Sequence, residues 1–225
     1  MMNPLDVVFA PSRLFRRLRE RPSWVVSFAA LAMISMVIEW FSFYPVLETV
    51  LRKLPERATS DMIQDTIHHL GERRGINVAI VPIKLGVPIA IFSFILYLVC
   101  SVSKPVSLPD WKYFLAVTVW SSWIPLIDKG LALLTQTVAG VVNPSTGLAF
   151  TQPLGLGMVR LSSRDPALPY ALNALNVFSV WYLVLLSLGI SLLCGFPRMK
   201  ALVIVASVWA LGLFVSAALL RFAIV

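Results

Sequence analysis

The sequence predicts an all-α fold, a polytopic membrane helical bundle with five transmembrane helices, an N-terminal interfacial helix and an extracytoplasmic amphipathic helix. The composition is the first reason: 58% of the 225 residues are hydrophobic and 13% are charged, whereas roughly a quarter of a soluble domain is charged. The second reason is the length of the apolar runs, since about 20 residues of helix cross a hydrocarbon core of about 30 Å. Residues 1–225 are predicted to form a single membrane domain.

Apolar runs of spanning length define the crossings. The predicted spans are residues 24–45, 77–102, 113–139, 171–197 and 201–220. The first run is too long for the apolar region of a cleaved signal peptide, so we interpret it as a retained span. Pro82, Pro88 and Pro125 lie within spans, where kinks are expected.

The third span is the least regular, because Asp128-Lys129 interrupts an apolar run. A single helix interrupted near its outer third is the favoured prediction. A short span followed by an interfacial segment is the alternative. Two separate crossings would each be too short, which disfavours six spans.

The N-terminal segment combines apolar and basic residues. Its apolar members are Leu5, Val8, Phe9 and Phe15, and its basic members are Arg13, Arg16, Arg17, Arg19 and Arg21. This pattern is typical of a helix that lies on anionic headgroups. A basic flank that only fixes the membrane topology is an equally good interpretation.

The longest polar stretch covers residues 48–75. Ile63, Ile67 and Leu70 recur at helical spacing, and Gly71 and Gly75 are residues that can end a helix. We therefore predict an amphipathic helix packed on the outer face. Its adjacent histidines point about 100° apart without a third ligand, so neither a metal site nor a cofactor is predicted.

The basic residues indicate the orientation. They are densest before the first span, which predicts a cytoplasmic N-terminus and an extracytoplasmic C-terminus in the cell (inner) membrane. The formal charge of +8 is explained by this topology, so nucleic acid is not an expected partner. The Pro-, Gly- and Ser-rich residues 143–169 are predicted to form an irregular loop.

Ionisable residues within the predicted spans form the first candidate site. Glu39, Lys84, Asp128 and Lys129 fall at similar depth in the outer leaflet, and their charges sum to zero. Charges at this depth usually face the bundle interior and pair. We hypothesise a neutral polar cluster in which Glu39 and Lys84 pair directly. Ion pairs that join helices are one role for it, and an ion or substrate pathway is the other.

Two further sets of residues point to packing. Asn173, Asn176 and Ser179 repeat every three residues and form a polar face on the fourth span that can bond a neighbouring helix. Cys100 and Cys194 lie at span ends near the predicted cytoplasmic face, where a disulfide is not expected. They are interpreted as lipid-facing or packing residues.

Three motifs resemble the Yip1 domain family of five-pass membrane proteins. The leader, from Asn3-Pro4 through Phe9-Ala10-Pro11 to Arg21-Pro22-Ser23-Trp24, is similar to that of bacterial members. Residues 172–189, with their order of polar residues, Phe, Trp and Leu-Gly, resemble the fourth span of the family. The basic turn Pro197-Arg198-Met199-Lys200 resembles the entry to its fifth span.

The resemblance implies a non-enzymatic protein, because the family has no catalytic residues to carry over. Eukaryotic members act in vesicle traffic and bind small GTPases through cytosolic segments. Only about 23 residues precede the first span here, which argues against that role. Some bacterial members resemble accessory subunits of ABC-type exporters with periplasmic adaptors. We therefore expect a scaffold or accessory subunit whose partners are the lipid bilayer and other membrane proteins. A small conduit for ions, lipids or solutes is the alternative.

Overall fold

The protein is described by a computed structural model at residues 6–52, 59–103, 105–139, 172 and 174–223. Helices make up most of these ranges, which confirms the all-α prediction. The helices are α1 (Asp6–Phe9), α2 (Pro11–Glu20), α3 (Val25–Arg52), α4 (Ser60–Ala79), α5 (Val81–Val102), α6 (Trp111–Ser121), α7 (Trp123–Ala139), α8 (Val177–Cys194) and α9 (Arg198–Ala223). The predicted loop at residues 143–169 lies outside the described residues.

Prolines set three of the helix boundaries. Ala10, which precedes Pro11, leaves the helical conformation with φ −146° and ψ 53°, because proline disfavours helix at the residue before it. Pro82 and Pro125 each lack the amide that would bond four residues back. The α4–α5 break at Ile80 and the α6–α7 break at Ser122 follow from those missing bonds. Pro88 lies inside α5 without ending it.

Helices long and apolar enough to cross a membrane are found at four places in the described chain: Val25–Tyr44, Val81–Val102, Val177–Cys194 and Arg198–Leu219. The third predicted span instead forms α6 and α7, of 11 and 17 residues. Its interruption lies at Ser122, so the prediction of a break near Asp128-Lys129 was wrong. Pro125 is the cause, and α7 runs through both charged residues without a break.

Helix α6 forms the centre of the bundle. Its residues from Phe114 to Ser121 are all buried, and α6 packs against α5, α8, α2 and α3. Gly189 of α8 lies in tight contact with α6 and α2, since an added Cβ would overlap Cγ1 of Val117 and lie 3.5 Å from Cδ1 of Phe15. The indole nitrogens of Trp120 and Trp123 donate to Ser23 O and Ser27 Oγ, both at 2.9 Å, and so bind this region to the start of α3.

The N-terminal helices are docked into the bundle. Val7, Leu14, Phe15 and Leu18 are at most 1% exposed and pack in the main core, whereas Phe9 is 80% exposed. Of the predicted stripe of Leu5, Val8, Phe9 and Phe15, the residues Val8 and Phe15 pack in this core and Phe9 does not. The break at Ala10 interrupts the helical repeat between them. Leu5 lies outside the described residues. Helix α2 still presents its arginines on the opposite, exposed side.

Helices α3 and α4 pack against each other as a hairpin, and none of the residues described for α4 is buried. Helix α4 begins at Thr59, whose side chain caps it by accepting from the amide of Met62 at 3.4 Å. It continues through Gly71 and Gly75, so the prediction that these glycines end the helix was wrong. Glycine within a helix costs only about 1 kcal/mol, and the packing of α4 against α3 offsets it.

Candidate functional site

A cavity of about 530 Å³ lies within the bundle, lined by helices α3, α5, α6, α7, α8 and α9. Five of these helices form a closed ring, because α3 packs on α5, α5 on α9, α9 on α8, α8 on α7, and α7 on α3. Helix α6 fills the centre of that ring only as far as Ser121. Beyond the proline break, α7 moves to the side against α3 and α8, which leaves the space unfilled.

The cavity has a closed end and an open end. Leu31, Ile89 and Thr118 are at most 7% exposed and form its floor. Gly212 and Lys129 are exposed and lie at its mouth. A Cβ on Gly212 would meet no atom within 4 Å, so this glycine borders open space. Much of the remaining wall is apolar, including Phe92, Leu213 and Trp209.

Three hydroxyl groups on the cavity wall donate to backbone carbonyls four residues earlier, among them those of Ser122 and Ser216. Ser122 Oγ donates to the Thr118 carbonyl at 2.8 Å, and Ser216 Oγ donates to the Gly212 carbonyl at 2.9 Å. Among the described residues that line the cavity, Lys129 alone carries a formal charge. The predicted cluster thus contributes one member to this cavity, as a cation at its mouth.

Asp128 points away from Lys129 and into the contact between α7 and α8. Its side chain is 4% exposed, and Oδ2 accepts a hydrogen bond from Asn176 Nδ2 at 3.1 Å. No described residue donates to Oδ1. Two neighbouring residues of the predicted cluster therefore have separate environments: a buried carboxyl bonded to α8 and a cation that faces the cavity.

Asn176 is a helix cap, not part of a helix face. Its backbone is extended, with φ −130° and ψ 170°, and its Oδ1 accepts from the amide of Ser179 at 2.7 Å. The predicted polar face is wrong in its helical geometry, because α8 begins only at Val177. The predicted hydrogen bond to a neighbouring helix is made by Asn176 to Asp128 of α7. Ser179 lines the cavity. Asn173 lies outside the described residues.

Glu39 and Lys84 do not form the predicted direct pair within the described chain. Lys84 Nζ instead lies 3.4 Å from Asn77 Oδ1. Glu39 borders a small pocket with Arg73, Arg74 and Asn77. The reason is the offset between helices, since Glu39 lies level with the end of α4. Lys84 follows Asn77 by seven residues, about 10 Å along the helix at about 1.5 Å per residue.

An arginine surrounded by aromatic rings, which the sequence analysis missed, joins α4 to α3. The Arg74 guanidinium carbon lies 3.7 Å from the ring centre of Trp40, 4.7 Å from Phe43 and 5.2 Å from Tyr44. These are cation–π distances. Aromatic residues at i, i+3 and i+4 on α3 are the signal for such a platform, but the pairing with an arginine 34 positions away depends on the hairpin.

The predicted membrane-surface arginines are all exposed. Arg13, Arg16, Arg17 and Arg19 lie on α2, and Arg21 follows it. Arg17 Nη1 lies 3.8 Å from Asp6 Oδ2 on α1. Because the apolar face of α2 is buried in protein, this helix does not insert that face into lipid. Its basic side stays available to headgroups, and a surface role for it remains a prediction.

The remaining candidate residues from the sequence are two cysteines and two histidines. Cys100 and Cys194 are free, fully buried and part of the main core, so of the two interpretations packing is correct and lipid-facing is wrong. His68 and His69 lie within 4 Å of Glu72 on the exposed side of α4. Within the described ranges, no group of three or more His, Cys, Asp or Glu residues is placed to hold a metal ion.

One of the comparisons with known proteins, that with family models, agrees with the motifs. No curated protein and no solved structure matches the chain significantly. A family model described as the Yip1 domain matches residues 5–219, nearly the whole chain, and confirms the resemblance. The match covers the leader from residue 5 onward, the fourth apolar region and the basic turn. The chain therefore belongs to the Yip1 domain family, a family of membrane proteins.

Proposed function

We propose that this protein is a non-enzymatic membrane scaffold, an accessory subunit of a larger membrane complex. The observation that carries the proposal is the α3–α4 hairpin. Helix α4 has 20 residues, a length of about 30 Å, and none of the residues described for it is buried within the chain. We call helix α4 the arm. An arm with so little contact to its own bundle is suited to binding another protein.

The exposed apolar residues of the arm support a docking role. Met62, Ile63 and Ile67 are 36–50% exposed. Ile63 and Ile67 are four residues apart, so both lie on one side of α4. The contact of Arg74 with the aromatic rings of α3 fixes the base of the arm. A fixed arm loses less conformational freedom on binding than a free helix.

In its finer form, the proposal makes the chain an accessory subunit of an ABC-type export system. The bilayer is the first partner: large apolar side chains such as Ile83, Val203 and Phe214 are 61–71% exposed, as lipid-facing residues should be. We propose five crossings, with α6 and α7 together as the third, and a cytoplasmic N-terminus. The arm then projects outside the cell membrane, where periplasmic adaptors of exporters lie.

Affinity purification in mild detergent with mass spectrometry tests the proposal. The wild-type chain is expected to recover subunits of a membrane complex, and an ABC-type ATPase or adaptor among them supports the finer form. A variant with Ile63→Asn and Ile67→Asn is expected to lose them. The matched control is Asp65→Asn with His69→Asn, which has the same spacing on the other side of α4. Equal recovery by both variants would contradict docking through the arm.

The cavity favours a second candidate function, a small conduit for ions, lipids or solutes. It provides a space within the bundle and places Lys129 at the mouth. Its floor is closed by buried side chains, which is why we rank the conduit second. Purification of a lone monomer that moves a solute across liposomes would reverse this order.

A further inference from the structure

The cavity at the centre of the bundle has the features of a ligand site. Its volume of about 530 Å³ falls within the range of about 300–1,000 Å³ that is typical of ligand pockets. The cation Lys129 lies at its exposed end, and its buried end is lined mainly by apolar side chains. Such a gradient suits a ligand with one polar end and one apolar end.

The mouth selects for negative charge. Lys129 lines it and makes no ion pair with any described residue, because the neighbouring Asp128 is buried and bonded to Asn176. The attraction between an ammonium group and an anion is stronger beside an apolar wall, because protein screens charges less than water does. Ser179, three residues after Asn176, lines the same cavity and adds a hydroxyl group that can bond a headgroup.

The floor selects for hydrocarbon. Leu31, Ile89 and Phe92 line the inner part, and the Thr118 and Ser122 hydroxyls there already bond to backbone carbonyls. A charged or strongly hydrated ligand would lose its water at this depth without new partners. An alkyl chain has no hydrogen bonds to water to lose, and it would bury its apolar surface there.

We propose that this cavity binds one anionic amphiphile, with its acyl chain against the floor and its carboxylate or phosphate at Lys129. The inference stands apart from the scaffold proposal, because it concerns the bundle and not the arm. A fatty acid and an acidic phospholipid share this chemistry, and the experiment below separates them.

Native mass spectrometry of the full chain in detergent tests the site, with oleate, phosphatidylglycerol, oleyl alcohol and phosphatidylcholine as probes. One of the two anions is expected to bind at one per chain, and which one does so identifies the source. Its affinity is expected to exceed that of its uncharged or zwitterionic counterpart by at least about tenfold, because only the anion gains a charge-assisted bond with Lys129. Lys129→Gln should remove this preference, Lys129→Arg should keep it, and Lys112→Gln serves as the control.

A second variant tests the cavity without touching the charge. Gly212→Leu places a side chain in the open space and should weaken binding of the anion at least tenfold. Gly71→Leu is the matched control, because its Cβ also meets no atom within 4 Å but lies on α4, away from the cavity. Absence of one-to-one binding, equal binding of charged and uncharged probes, or equal effects of the two leucine variants would each overturn the proposal.

Discussion

Arg74 of α4 binds Trp40 of α3 through two interactions at the base of the arm. The guanidinium carbon lies 3.7 Å from the centre of the indole ring, and Nη2 donates a hydrogen bond to the Trp40 carbonyl at 3.0 Å. Phe43 and Tyr44 complete the platform. Since α4 buries none of its own described residues, this contact is a main source of stability for the hairpin.

Replacing Arg74 by alanine should loosen the arm. Cation–π contacts contribute from about 0.5 to 2 kcal/mol, so Arg74→Ala is expected to cost about 2 kcal/mol and to lower Tm by roughly 5 °C. Thermal unfolding in detergent, followed by tryptophan fluorescence, measures the change. Arg73→Ala is the control, because the neighbouring Arg73 is exposed. Equal shifts for both variants would refute the role of the aromatic platform.

Gly189 should not tolerate even one methyl group. The added Cβ of Gly189→Ala would overlap Val117, and overpacking of this kind costs about 1–3 kcal/mol. Gly71→Ala, on the open surface of α4, should be neutral or stabilising by up to about 1 kcal/mol. Unfolding temperatures of the two variants in the same detergent provide the measurement. A Gly189→Ala chain as stable as the wild type would show that α6, α8 and Phe15 pack less closely than described.

Asp128 and Asn176 should be energetically coupled. Asn176→Ser keeps an acceptor that can cap α8 but removes the amide that donates to Asp128. We expect it to cost about 2 kcal/mol in the wild type, because the bond is to a buried carboxyl group. In an Asp128→Ala background the same change should cost clearly less. A double-mutant cycle measures this difference, and strictly additive losses would mean that the bond contributes little.

The topology is tested by reporter fusions. Five crossings with a cytoplasmic N-terminus predict that reporters after residues 65, 105, 155 and 198 and at the C-terminus lie outside, inside, outside, inside and outside. The basis is the length of the spans and the density of basic residues before α3. A cytoplasmic C-terminus would contradict this topology and would agree with four crossings.

Most of the helical architecture could be predicted from the sequence, because long apolar runs have one stable arrangement in lipid. Four helices of spanning length formed where such runs were found. The break in the third predicted span does not lie at Asp128-Lys129, where the charges suggested it. Its position is set by Pro125, which lacks the amide that would bond four residues back. A local hydrogen-bond defect outweighed a pair of charges that have their own partners or access to solvent.

The candidate site was predicted less well, since it depends on the register between helices. Glu39 and Lys84 match in depth only if the first span ends level with the start of the second, and the contact of Arg74 with Trp40 shows that it does not. Asn176 fitted a three-residue repeat but lies just before the helix, where its side chain caps it. The cavity itself arises from the departure of α7 at Pro125. The sequence predicts a kink there, but the direction that α7 takes depends on its packing against α3 and α8.

Site-specific photo-crosslinking in the cell membrane tests the central claim, that the arm binds another protein. A benzoyl-phenylalanine at position 67, on the exposed apolar side of α4, is expected to give a discrete protein crosslink whose partner is a membrane-complex subunit. The same amino acid at position 65, about 200° around the helix, should give none. No crosslink at position 67, or equal crosslinking at both positions, would contradict the account.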